Sequence, residues 1–353
     1  MSRFFSEKFA ALTPYTPGEQ PRERTYIKLN TNESPFPPSP ISLRMARQAA
    51  GNLNLYSDPT CLSVRKAAAA RYHVEIDEVM FTNGSDDILN FAFMAFCDEQ
   101  HPAVFADITY GFYPVFADFN RIPYETIPLK DDFSIHVDDY IGLNKTIFIA
   151  NPNAPTGIAL PLSDIERIVA GNPDSVVVID EAYVDFGAES AVNLIHKYDN
   201  LLVTQTFSKS RNLAGARLGM GFGSKALMQD LNTLRYSTNP YNINSVTMAA
   251  GVGALEDEDY FRFCCGTVIK TRSWTEKELK RLGFEMPPSS TNFVFAKHAA
   301  IPGKELYLTL KEKGILVRHF DGERLCDYNR ITIGSKDEMQ ALIQTLEEIV
   351  CGK

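Results

Sequence analysis

Leu201-Leu202-Val203-Thr204-Gln205-Thr206-Phe207-Ser208-Lys209-Ser210 decides how this chain reads. An apolar run of strand length closes on a lysine flanked by two serines, and Arg211, Ala214, Gly215, Ala216 and Arg217 follow. A buried strand therefore ends in an amine. Such an amine can condense with an aldehyde cofactor. Most lysines are solvated surface groups, so the motif draws its meaning from what surrounds it.

Other apolar runs of strand length lie at 79–82, 103–106, 146–150 and 176–179, with helical patterns at 61–72, 85–96, 111–118 and 162–170. Continuous apolar strands separated by helices predict a mainly parallel sheet covered on both faces, a three-layer αβα unit. Polar motifs that follow these strands collect along the carboxyl edge, where open α/β sheets bind ligands. After about 243 the pattern changes to a long helical region broken near Glu256-Asp257-Glu258. Short strands at 292–295, 315–318 and 330–333 and helices at 303–313 and 336–350 complete a smaller α+β unit. Residues 1–40 are proline-rich and read as an ordered arm folding back onto that second unit. The expected division is an arm at 1–40, a large domain at 41–245 and a small domain at 246–353.

The net charge of −9 is spread over 353 residues without a basic tract, which argues against nucleic-acid and anionic-membrane partners. No run approaches the roughly 20 apolar residues of a membrane span, and Met1 to Lys8 lacks an apolar secretory core. None of the six cysteines forms a Cys-x-x-Cys pair or stands at zinc spacing from a histidine. The expectation is free thiols in a reducing cytoplasm and no metal.

Four further segments follow strands. Asn83-Gly84-Ser85-Asp86-Asp87 opens a helix whose free N–H groups suit a phosphate, although the same residues make a plain N-cap. Asp180-Glu181-Ala182-Tyr183 places a carboxylate past a strand, as a pyridinium nitrogen requires. Asn151-Pro152-Asn153-Ala154-Pro155-Thr156-Gly157 forms a rigid turn. Tyr110 offers a face for ring stacking, or simply a core aromatic.

In chain order these segments supply a phosphate cradle, stacking tyrosine, turn, pyridinium partner, lysine and arginine. The combination resembles the fold type I pyridoxal-phosphate aminotransferases, and among them the histidinol-phosphate aminotransferases. The likeness runs from Leu12-Thr13-Pro14-Tyr15 to the last helix, through Lys28 to Pro35, Tyr56-Ser57-Asp58-Pro59, Ser208-Lys209 and Arg330-Ile331-Thr332-Ile333-Gly334.

The resemblance implies that Lys209 carries the cofactor, pyridoxal 5'-phosphate, and shuttles a proton. Asp180 pairs with the pyridine nitrogen, Tyr183 bonds the ring hydroxyl and Tyr110 stacks on the ring. Gly84, Ser85, Asp86, Ser208 and Arg217 hold the phosphate, and Tyr56 reaches it from the other subunit of a homodimer. Family members carry Asn before Pro-Thr-Gly; here that position is Ala154. Either Asn153 reaches the ring instead or Tyr183 makes the contact alone.

On the substrate side the resemblance assigns Arg330 and Arg318 to an anionic group, Tyr15 to the substrate phosphate and Asn32 to the entrance. The implied substrates are histidinol phosphate and 2-oxoglutarate or glutamate, used in turn. A threonine-phosphate decarboxylase has the same layout, but no His-Gly-Gly segment stands near the N-terminus. An aromatic amino-acid aminotransferase is a further alternative. A non-catalytic cofactor-binding regulator would need an added DNA-binding segment, for which 353 residues are expected to leave no room.

Overall fold

Short runs of β-branched and aromatic residues, too apolar to face water, build one central sheet. The computed structural model describes residues 2–10, 12–14, 18–21 and 24–352. In chain order the first elements are β1 (Ile27–Lys28), α1 (Pro40–Ala49), α2 (Leu62–Tyr72), β2 (Val79–Thr82), α3 (Ser85–Phe96), β3 (Ala103–Ala106), α4 (Tyr113–Asn120) and β4 (Tyr124–Ile127). Then come β5 (Thr146–Ala150), α5 (Leu162–Ala170), β6 (Val177–Asp180), β7 (Leu201–Thr206), β8 (Gly219–Gly223), α6 (Lys225–Thr238) and α7 (Ser245–Glu256).

The seven-stranded sheet runs β2-β8-β7-β6-β5-β3-β4. β8 is antiparallel to both of its neighbours and all other pairs are parallel. Alternate strand residues feed two cores. Phe81, Ile147, Ile149, Val177, Ile179, Leu201 and Val203 pack with α2, α5 and α7 on one face. Met80, Phe105, Phe148, Val178 and Leu202 pack with α3, α4 and α6 on the other. The result is the expected three-layer αβα arrangement. Each buried aliphatic side chain contributes about 1.5–3 kcal/mol, so this double face holds the sheet rigid beneath the loops at its edge.

Among the elements absent from the sequence-based expectation are α1, β4, β8 and α6. α1 was hidden by the proline-rich lead-in, and Pro40 in fact occupies its first turn while Ser39 caps it. β4 is an exposed edge strand, so its Tyr-Glu-Thr-Ile run lacks the all-apolar signature. β8, Gly-Met-Gly-Phe-Gly, carries too little side chain to read as a strand, and α6 is largely polar. Gly219 is glycine for a steric reason. It pairs with Thr82 and Thr206, and a Cβ there would press onto Gly84 C and Ser85 N, where α3 begins.

The second unit comprises α8 (Glu258–Arg281), β9 (Phe284–Glu285), β10 (Phe293–His298), α9 (Gly303–Glu312), β11 (Ile315–Leu316), β12 (Arg318–His319), β13 (Tyr328–Thr332) and α10 (Lys336–Cys351). Its antiparallel sheet runs β12-β13-β10-β9 over a separate core. The arm is stitched to it: β1 pairs in parallel with β11, Leu29 N donates to Leu316 O at 2.8 Å and Thr332 N to Leu29 O at 3.0 Å. Leu29 belongs to the second core. The expected break at 245/246 falls early. Met248, Ala250, Val252 and Leu255 of α7 lie in the large unit's core, whereas Cys265 and Val268 of α8 lie in the other, so the change comes at Asp257. Among the described residues, no helix is long and apolar enough to cross a membrane.

Gly219→Ala should lower stability by about 1–3 kcal/mol, the usual cost of overpacking, because the opposing atoms are backbone. A urea midpoint unchanged from wild type would show that the α3 N-terminus can yield.

Candidate active site

Two cavities, of about 350 and 410 Å³, meet along the carboxyl edge of the large sheet. Thr31, Tyr110, Ala154, Tyr183 and Lys209 line both. The first cavity adds Ser85, Asp86, Asp180, Thr206, Ser208 and Arg217. The second adds Asn32, Asp107, Arg318, Phe320, Leu325 and Arg330.

Strand register sets the acid. β5, β6 and β7 are adjacent, so Ala150, Asp180 and Thr204 stand side by side. Asp180 is 5% exposed, and its carboxylate accepts from Tyr113 Oη at 3.1 Å and Thr204 Oγ1 at 3.3 Å. Burial, with the nearby charge of Asp86, pushes it up to about 6 despite those hydrogen bonds. No cation among the described residues comes within ion-pair distance of it. Glu181, the next residue, takes the opposite side. Ser190 Oγ and Ala191 N at 2.6 Å and Gln205 Nε2 at 2.8 Å satisfy it, and burial pushes it up to about 7. The period-2 alternation of a strand thus separates a ligand-facing acid from a structural one.

One side of the first cavity is built by the start of α3. Gly84 has φ +91°, and a Cβ there would come within 2.6 Å of Arg217 Nη2. The positive φ, strained for any other residue, favours glycine at the start of α3. Arg217 itself sits in the left-handed region at φ 54°. The Asp86 carboxylate bridges Arg217 Nη2 at 3.1 Å and Tyr110 Oη at 2.8 Å. Burial first, and Asp86 second, hold the Tyr110 phenol well above its ordinary range. Thr206 Oγ1 donates to Ser208 Oγ at 3.1 Å, which fixes both hydroxyls at the end of β7.

Lys209 Nζ donates to Thr31 O at 3.2 Å and lies 5.9 Å from the Tyr183 ring centre. Tyr183 is wedged edge-on against Phe293 of the second unit. In the second cavity, Arg318 and Arg330 are directly paired across β12 and β13. Like charges placed opposite each other are unfavourable in a sheet, and an anion between the forks relieves that. Phe320 lies beneath both guanidiniums, at 5.6 and 5.7 Å.

Asn153 and Tyr56 line neither cavity, whereas Asn32 lines the second. Asn153 is buried away from the cavities, with Nδ2 donating to Ile108 O at 3.0 Å and Oδ1 accepting from Thr109 Oγ1 at 2.9 Å. Its amide holds the turn, and Ala154 lines both cavities instead. Asn32 is buried within the second cavity's lining. Tyr56 is 85% exposed and stacks on Tyr241 at 4.7 Å, outside this chain's cavities. Tyr15 lies outside the described residues. Thr31, Thr206 and Glu33 line the first cavity without having been anticipated, and Tyr113 and Thr204 support Asp180 from behind. Nothing in the local sequence marks the last two, because only sheet register brings them to Asp180.

Pyridoxal 5'-phosphate fits these residues. The buried, unpaired carboxylate suits a ring N–H⁺, the α3 N-terminus with Arg217 suits a phosphate, and Lys209 lines the same cavity. The folded chain keeps a proton on Asp180 that the unfolded chain, with an ordinary value of 3.8, has already released. Cofactor-free stability therefore falls as pH rises from about 4 to about 6. Cofactor-free Asp180→Asn should be more stable than wild type at pH 7.5, by roughly 2–3 kcal/mol, with the gap closing below pH 4. Superimposable melting curves at pH 7.5 would show that the carboxylate is not penalised.

Residues 24–346 match the aminotransferase class I and II family. The chain is 50% identical to a histidinol-phosphate aminotransferase of Marinomonas sp. over 353 residues, which cover 99% of this chain and 100% of the relative. It is 47% identical to one of Brachyspira hyodysenteriae, over 99% of both chains. The fold superimposes with a TM-score of 0.85 on the histidinol-phosphate aminotransferase of Sinorhizobium meliloti, solved with pyridoxal-5'-phosphate, at 24% identity over 93% of this chain and 92% of that one. The chain belongs to the class I and II aminotransferases, in their histidinol-phosphate aminotransferase branch.

Proposed function

We propose that this enzyme moves the amino group of L-histidinol phosphate to 2-oxoglutarate in histidine biosynthesis, giving imidazole acetol phosphate and glutamate. The observation that carries this reading is the meeting of two anion-ready cavities on Lys209, one ending in Arg217 and the other in Arg318 and Arg330. When bound, pyridoxal 5'-phosphate supplies an aldehyde for the substrate amine and a ring that accepts electron density.

Asp180 holds the proton on the ring nitrogen, its burial making a cationic partner more favourable than solvent. The α3 N–H groups at Ser85 and Asp86, with Ser208, Thr206 and Arg217, hold the cofactor phosphate. Gly84 leaves room for that arginine. Tyr110 covers the ring, and Tyr183 bonds its hydroxyl. Lys209 Nζ takes the proton from the amine-bearing carbon and returns it, with Thr31 O orienting the amine. Arg318 and Arg330 take the phosphate of one substrate and the carboxylate of the other, because a planar guanidinium fork matches both.

A second copy of the chain completes the site in this reading. Leu53, Leu55 and Tyr56 are 59%, 65% and 85% exposed, and Tyr56 stacks on Tyr241, itself exposed. An apolar patch of this kind marks an interface, from which Tyr56 reaches the partner's phosphate site. The substrates, reducing thiol chemistry and acidic balance suit the cytoplasm.

Lys209→Ala should lower kcat by at least about 10³-fold and remove the visible band of the bound cofactor; retention of either refutes the assignment of Lys209. Purified enzyme supplied with 2-oxoglutarate should turn over histidinol phosphate well ahead of phenylalanine and threonine phosphate. A preference for phenylalanine, or release of carbon dioxide from threonine phosphate, would replace the proposed substrate.

A further inference from the structure

Three consecutive residues of the N-terminal segment each touch a different part of the site. Asn30 O accepts from Arg330 Nη2 at 3.2 Å, Thr31 O from Lys209 Nζ at 3.2 Å, and Asn32 Nδ2 donates to Tyr183 Oη at 2.9 Å. Asn32 is 1% exposed and sits in the left-handed region at φ 54°, which asparagine tolerates better than most residues.

Its amide has no freedom to turn. Thr332 Oγ1 accepts from Asn32 N and donates to Asn32 Oδ1, both at 3.0 Å, and Asn292 Nδ2 donates to Asn32 O at 3.0 Å. With Oδ1 committed to Thr332, Nδ2 must face Tyr183. A phenol oxygen that accepts one hydrogen bond still has its own hydrogen to donate. Among the described residues, no acceptor stands within hydrogen-bond reach of the Tyr183 hydroxyl, and Tyr183 lines both cavities. Its hydrogen is therefore reserved for a ligand. The turn across the cavity cannot share the task. Ala154 presents only a methyl group there, and the Asn153 amide is spent on Ile108 and Thr109.

We propose that Asn32 is a positioning residue for Tyr183: it fixes the phenol as a donor to the cofactor's ring oxygen and so replaces the amide that Ala154 lacks. This rests on the reading of the site as a pyridoxal-phosphate site. The same three-residue segment also touches Arg330 and Lys209, so the arm positions the Tyr183 donor and the lysine from one backbone.

The test is a pH titration of the visible absorption band of the holoenzyme. A donor aimed at the ring oxygen favours its ionised form and lowers the apparent pKa of the band. Asn32→Ala should raise that midpoint by about half to one pH unit, and Tyr183→Phe should do the same. The double variant should move no further than the larger single shift, because both remove one contact. Adding Ala154→Asn to Asn32→Ala should return the midpoint toward wild type. Lys209, Asp180, Asp86 and Glu33 face the same space and are unchanged throughout. An unmoved midpoint in Asn32→Ala beside a moved one in Tyr183→Phe, or shifts that add, overturns the proposal. If Asn32→Ala does not fold, Asn32→Asp decides. Its carboxylate accepts from the phenol instead of donating, so the midpoint must rise, and an unmoved one overturns the proposal equally. A wild type that forms no visible band with pyridoxal phosphate fails earlier and sinks the cofactor reading itself.

Discussion

Parallel pairing of β5, β6 and β7 is the constraint on which the site rests. It aligns the ends of three strands in one register, so that Ala150, Asp180 and Thr204 stand abreast and Lys209 follows close behind. Parallel strands must be buried on both faces, and that burial is what raises Asp180 above the ordinary carboxylate range. A carboxylate at the end of a fully apolar strand is desolvated, and neutral donors alone do not restore its solvation. The fold thus creates a local demand for positive charge, and the ligand site is where that demand can be met.

The second constraint is the stitching of the arm. β1 pairs with β11, and Leu29 is drawn into the second unit's core, so residues 30–32 have little freedom left. They lie between β13, which bears Arg330, and the β6–β7 edge, which bears Asp180 and Lys209. A few backbone hydrogen bonds in the small unit therefore determine where Lys209 and Tyr183 point. Arg330 and Lys209 are mechanically adjacent through this segment, although they belong to different units.

What could be read beforehand followed from chemistry carried by local sequence. The apolar strands, the glycine before α3 and the lysine flanked by hydroxyls each state their own environment. The elements that escaped were those whose reason is non-local. β8 is a strand because Gly219 must pass beneath the start of α3, and its glycines otherwise resemble a loop. β4 is a strand because β3 offers an edge. α7 belongs to the large unit because α1 and α2 cover it, although its sequence runs on almost continuously into α8. Asn153 looked exchangeable with the amide missing at 154, yet the direction of its side chain depended on Ile108 and Thr109, more than forty residues away.

Sequence by itself determined the three-layer α/β class, the smaller α+β unit, and the segments at Asn83–Asp87, Asp180–Tyr183 and Ser208–Lys209 that come together at one cavity, because periodicity and side-chain chemistry are local properties. Tertiary structure alone decided that Asp180 rather than Glu181 faces the cavity with its charge unpaired. It also decided that Arg318 and Arg330 line one cavity and that Asn32 donates a hydrogen bond to Tyr183. Those outcomes depend on strand register and on the packing of one unit against the other, and neither is written in any short stretch of the chain.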